Sequence, residues 1–171
     1  MNQRQSHNLG FGAVFLCLTA LDQWTKHLAV KFLMGSSPYV IWEGVFELFY
    51  SENTGAAFGM LKGRQTFFFL IALCVFGAIL YAMAKLPVNR RFFPLRLCLT
   101  CIAAGAAGNL IDRVSQGYVV DFLYVKLIDF PIFNVADCYV TVATAAVIIL
   151  FLWFYKDEEF DVLFPGRKER T

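Results

Sequence analysis

The chain has 171 residues, 58% of them hydrophobic and only 16% charged. That is far more apolar sequence than the core of a soluble domain this long needs, so the surplus must face lipid. A net charge of +2 lacks the strongly basic footprint of a nucleic-acid binder.

Taken in order, the chain opens on a short polar stretch, Met1 to His7, and an apolar run from Leu9 to Leu21. No small-residue cleavage pattern follows, and Asp22 and Lys26 interrupt instead, so a retained first span over residues 9–31 is expected rather than a removed signal. Gly35-Ser36-Ser37-Pro38 signals a turn. The residues after it are aromatic and β-branched (Tyr39, Val40, Ile41, Trp42, Val45, Phe46, Phe49, Tyr50) and predict a small sheet within an outer segment, 34–64. Trp42, Phe46 and Tyr50 suit the headgroup level of a membrane.

The second span is predicted over 65–85, the third over 96–113 and the fourth over 135–156. At 1.5 Å per residue, about twenty residues cross a ~30 Å hydrocarbon core. Only the second uncharged run is that long without help. The others draw Asp22, Asp112 and Asp137 to the membrane edge. The charged stretch 157–171 reads as a cytoplasmic tail, partly disordered.

These elements predict a mainly α membrane protein. It is a single integral membrane domain over 1–171, with four transmembrane helices and a small extracytoplasmic β-rich segment between the first two. Four spans place both termini on one side, which carries nine Lys/Arg against six on the other. The positive-inside rule therefore puts the termini and the basic turn Leu86 to Arg91 in the cytoplasm. Asp22, Asp112, Asp121 and Asp137 then share the outer face.

Five cysteines, an odd number, lie in or beside the apolar runs, at 17, 74, 98, 101 and 138. Buried, reduced thiols are expected, not a disulfide framework or a metal site.

Two of the acids carry the chemistry. Carboxylates that share a site do not both ionise easily, which yields a base for water and an acid for the leaving amine. Asp121 and Asp137 are the candidate pair. Asp137 has a second reading: Asn134 sits where an N-cap would be, with Asp137 three residues on as its capping-box acid. Asp121 alone also reads as an ordinary interfacial loop aspartate.

Six small residues, Ala103 to Gly108, predict a close helix approach, and Asn109, Asp112 and Arg113 follow on one helical face. Asn109 needs a partner in a dry setting. Arg113 suits a substrate carbonyl or a carboxylate. Asn53-Thr54-Gly55 reads as a tight turn, and Asp22 with Lys26 as an i, i+4 ion pair. A transporter would spread its acids through the membrane depth, and a metal hydrolase would need ligands such as HExxH; neither pattern is present.

Together, Asp22-Gln23 with Lys26, the run Asn53 to Phe58, the run Gly108 to Arg113, Val119-Val120-Asp121-Phe122 and the run Phe133 to Asp137 resemble the bacterial lipoprotein signal peptidases, or signal peptidase II. The resemblance covers nearly the whole chain. It implies four transmembrane helices in the bacterial cytoplasmic (inner) membrane, both termini cytoplasmic, and an active site at the outer face. It also implies an aspartyl peptidase that needs no cofactor or metal, with Asp121 and Asp137 as the catalytic dyad. Asn53, Gly55, Asn109, Arg113 and Asn134 would bind substrate or inhibitor, and Asp22, Lys26 and Asp112 would support the fold. The implied substrate is a diacylglyceryl-prolipoprotein held in membrane lipid, cut before its lipidated cysteine, and the implied inhibitors are globomycin-type cyclic peptides. Asp129 receives no role.

Overall fold

The computed structural model describes residues 3–55 and 65–160. Among them the α-helices are α1 (Gln3–Leu33), α2 (Gln65–Lys85), α3 (Phe93–Gln116) and α4 (Val135–Ile149). The strands are β1 (Tyr39–Trp42), β2 (Phe46–Asn53) and β3 (Val119–Val125). The protein is thus mainly helical, with one small antiparallel sheet in the order β1-β2-β3.

Helix α3 is the central element, against which α1, α2 and α4 all pack. Its small residues make this possible. A Cβ built on Gly105 would lie 2.6 Å from the Ala136 carbonyl oxygen of α4, and one on Gly108 would lie 2.9 Å from Cγ of Asp22 on α1. Proline at its first turn and Gly117 at its end bound the helix. Gly117 adopts φ 86°, which glycine tolerates, and its N–H closes on the Arg113 carbonyl.

The sheet extends beyond the segment expected from sequence. β1 and β2 form the anticipated hairpin, turning at Gly44 (φ 71°). The third strand comes from the α3–α4 connection, whose sequence reads as a loop. β3 pairs with β2 in the register Ser51 to Asp121 and Asn53 to Val119. Its first four residues are all buried, so the polar-apolar alternation that marks a half-buried strand is missing. Ala29, Val120 and Phe122 form the apolar core beneath this sheet, joined by Tyr50. Tyr50 thus packs inward, while Trp42 stays exposed.

Among the described residues, two helical stretches, Phe93–Gln116 and Val135–Phe154, are long and apolar enough to cross a membrane. The second runs through α4 and a terminal π turn, Leu150–Phe154, and little of it is buried in the protein. So apolar and so exposed a helix demands an apolar solvent.

At the opposite end from the sheet, Leu86, Phe92, Leu95 and Tyr155 form a second core. Arg96 is buried there and donates to the Met83 and Leu86 carbonyls and to Asn8, closing the C-terminal end of α2. Beyond α4, a 3-10 turn (Asp157–Phe160) holds the start of the tail, where Glu159 accepts two hydrogen bonds from Arg91. The expectation of a disordered tail otherwise falls on 161–171, outside the described residues. All five cysteines are free, but Cys17 and Cys74 point outward rather than into the core, as apolar thiols at a lipid surface would.

Candidate active site

The site begins with an ion cluster. Lys26, one turn after Asp22 on α1, lies 2.9 Å from the Asp22 carboxylate and 3.0 Å from that of Asp112 on α3. Its third proton goes to Asn109 Oδ1 at 2.8 Å, so every donor of the ammonium is used. All three charged groups are at least 95% buried. The carboxylates' remaining valence holds backbone: Asp22 accepts the Ala136 N–H of α4 at 3.0 Å, and Asp112 accepts the Val120 N–H of β3 at 3.1 Å. Gln23 adds a bond to Asp112 at 2.8 Å and one to the Gly108 carbonyl at 3.1 Å. One cluster therefore fixes α1, α3, β3 and α4 together. The expected Asp22–Lys26 pair is present, but it is one side of a larger knot.

Asp121 and Asp137 stand beside this knot, bridged by Asn134. Asn134 Nδ2 donates to Asp121 Oδ1 at 2.6 Å. Asn134 is also the N-cap of α4 in a full capping box with Asp137: its Oδ1 accepts the Asp137 N–H at 3.0 Å, while Asp137 Oδ2 accepts the Asn134 N–H at 3.1 Å. The capping arrangement read from the sequence is therefore present, and it presents Asp137 to the same asparagine that binds Asp121. Asp137 Oδ1 accepts from Asn109 Nδ2 at 2.8 Å, and Asp121 Oδ2 from Asn53 Nδ2 at 3.0 Å.

The three amides share a logic that does not depend on telling oxygen from nitrogen in coordinates. In each, one side faces a group that can only donate: the Gly55 N–H for Asn53, the Asp137 N–H for Asn134, the Lys26 ammonium for Asn109. That side must be the oxygen. Each NH2 is thereby aimed at an aspartate.

The two acids differ in setting. Asp121 is 2% exposed, whereas Asp137 is half-buried in the first turn of α4. Burial, and then the neighbouring Asp137 charge, push the Asp121 carboxyl up to about 6, against the opposing pull of Asn53, Asn134 and Lys26. Arg113 donates to the Asn109 carbonyl at 3.3 Å and the Gly55 carbonyl at 3.2 Å, bringing Gly55 to the same place.

All ten sequence-selected residues thus form one connected network. Three contributors were missed. Gln23 gave only its place beside Asp22 as a signal. The Ala136 and Val120 amides gave none, because backbone donors leave no mark in sequence. Asp129 lies outside the network: at φ 48° it ends a 3-10 turn and accepts the Tyr124 hydroxyl at 2.6 Å. Among the described residues no group of three or more His, Cys, Asp or Glu is placed to hold a metal ion.

Known proteins carry similar sequences and folds. The family model Peptidase_A8, described as signal peptidase (SPase) II, matches residues 14–154. A lipoprotein signal peptidase of Caldanaerobacter subterraneus subsp. tengcongensis is 46% identical over 80% of this chain and 90% of its own. One from Streptococcus thermophilus is 43% identical over 81% and 88%, and one from Enterococcus faecalis 38% identical over 83% and 85%. A solved structure titled as a bacterial membrane enzyme, obtained by the in meso method, superposes with a TM-score of 0.73 at 29% identity, covering 84% of this chain and 87% of that one. With paired, amide-bound aspartates in an apolar helical frame and matches of this extent, the chain belongs to the signal peptidase II family.

Proposed function

We propose that this protein is an aspartic endopeptidase that removes the signal peptide from diacylglyceryl-modified prolipoproteins, cutting just before the lipidated cysteine. The observation that carries the reading is the Asn134 bridge, which ties a buried acid on β3 to an acid in the first turn of α4. Asp137, in the first turn of α4, takes a proton from water. The resulting hydroxyl oxygen attacks the scissile carbonyl carbon, and protonated Asp121 gives its proton to the carbonyl oxygen. As the tetrahedral centre collapses, the proton held by Asp137 passes to the departing amide nitrogen, the C–N bond breaks, and the hydroxyl returns its proton to Asp121. Asn53, Gly55, Asn109, Asn134 and Arg113 line the substrate, with the Arg113 donors beside its backbone.

The same reading gives four membrane spans over about 9–31, 65–85, 96–113 and 135–156 in one domain of the bacterial inner membrane. Both termini are cytoplasmic and the sheet lies at the outer interface. A lipidated cysteine keeps its acyl chains in the leaflet, so the scissile bond is presented near the headgroups, at the level of the acid cluster. Globomycin-type peptides would occupy the same cleft.

The test is incubation of the purified protein with a lipidated prolipoprotein, with and without globomycin. Cleavage before the modified cysteine, blocked by globomycin and lost in Asp121→Asn and Asp137→Asn, is expected. Near-normal turnover by Asp137→Asn would leave Asp137 as a helix cap and end the dyad assignment.

A further inference from the structure

Of the three donors that fix the site's asparagine oxygens, two belong to backbone and cannot be changed by mutation. The third is a buried charge. Lys26 holds Asn109 Oδ1 at 2.8 Å, and the same amide's nitrogen lies 2.8 Å from Asp137 Oδ1. Asn109 Oδ1 also accepts from Asn134 Nδ2 at 3.1 Å, the group that donates to Asp121. A single flip of the Asn109 amide would set a carbonyl oxygen against the Asp137 carboxylate and a nitrogen against both Lys26 and Asn134. All three neighbours oppose that flip, and of them the ammonium, which has no acceptor capacity, is the one that lies outside the candidate dyad and its bridging asparagine.

We infer that Lys26 is a positioning residue for the hydrolytic reaction, acting through Asn109 to hold the two aspartates in their working orientation rather than serving only to tie α1 to α3. This inference rests on the dyad reading above. Lys26 touches neither aspartate of the dyad and acts one side chain removed. The charged groups that face it are Asp22 on its own helix, Asp112 on α3 and, at longer range, Asp121 on β3, while Asp137 on α4 is reached through Asn109. Asp22 and Asp112 are its ion-pair partners. Its positive charge also opposes the upward push on the Asp121 carboxyl, so its removal shifts that group further up.

Four variants test this: Lys26→Gln, Asn109→Ala, the double variant, and Asn109→Asp. Each is assayed on a lipidated precursor across pH, with a thermal midpoint in detergent. Lys26→Gln is expected to lower kcat by about a hundredfold, the scale of a small misplacement of reacting groups, with KM little changed. The alkaline limb of its pH profile moves to higher pH. In the Asn109→Ala background the same substitution adds almost nothing further, because the path it acts through is gone.

If the Lys26 and Asn109 losses instead multiply and the pH profile stays put, Lys26 is only a structural tie and the inference fails. Should Lys26→Gln not fold, Asn109→Asp decides, because it keeps an acceptor for Lys26 but loses the NH2 facing Asp137. A large kcat loss at an unchanged thermal midpoint supports the inference, and wild-type kcat overturns it. Normal turnover by Asp137→Asn would end the dyad reading itself. Its failure with multiplying Lys26 and Asn109 losses ends this inference alone.

Discussion

At Asp121 the fold holds a carboxyl where ionisation is costly, and this has consequences for both activity and stability. If the working enzyme needs one proton on the pair, kcat/KM falls as pH rises through about 6, with apparent values that belong to the pair rather than to one residue. Bound substrate excludes water and raises the cost of charge further, so the limb in kcat lies higher than that in kcat/KM. The Asn53 hydrogen bond favours the charged form. Asn53→Ala therefore raises the Asp121 value and moves the alkaline limb to higher pH, which a pH-rate series reads directly; a move to lower pH would contradict the assignment.

For stability, a carboxyl raised from 3.8 to about 6 on folding binds more protons in the native state between those values. Its contribution is complete below about pH 4 and is lost as pH rises through about 6, on the order of 3 kcal/mol in all. Thermal unfolding in detergent should show Asp121→Asn free of that loss. General acid–base groups contribute roughly 10²–10⁴-fold, so the same variant is expected to lose at least that factor in turnover.

Among the elements, α3 decides whether a site exists, because the knot forms only if α1 and α4 reach it closely. Gly105 and Gly108 are two points where the approach leaves no room for a Cβ. A methyl at Gly105 meets the Ala136 carbonyl, part of the backbone of α4 and unable to yield without moving the helix. A methyl at Gly108 meets the Asp22 carboxylate, which is held on its other side by the Ala136 N–H. Gly105→Ala and Gly108→Ala are each expected to cost about 1–3 kcal/mol, the usual penalty of overpacking, and to lower turnover as well. A thermal midpoint equal to that of wild type would show that the helices have room to spare.

For the whole molecule, the acids that lie at Asp22, Asp112, Asp121 and Asp137 gather at the sheet end, while Arg91, Arg96 and Glu159 secure the other. In the proposed orientation the sheet end faces outward and the Arg96 end faces the cytoplasm. A reporter enzyme that folds only outside the cytoplasm is expected to be active when fused after Ser36 and inactive when fused after Asn89 or at the C-terminus. Activity at the C-terminus would invert the orientation.

Sequence by itself determined the helical, lipid-facing character, because apolar run length and bounding charges are local properties that the bilayer selects directly. It also marked the side chains of the candidate site other than Gln23, since Asn, Asp, Arg and Lys are conspicuous in so apolar a chain. Three things were decided only by tertiary structure. β3 is a strand because β2 and Phe133 supply its backbone partners, and burial on both faces erases the alternation that would announce it. Asp137 is both cap and dyad candidate, a choice the local Asn134-to-Asp137 pattern cannot make. Lys26 serves three acceptors, two of them on α3 more than eighty residues away, and a hydrogen bond across such a gap depends on helices packing at glycine distance rather than on anything written beside Lys26 in the chain.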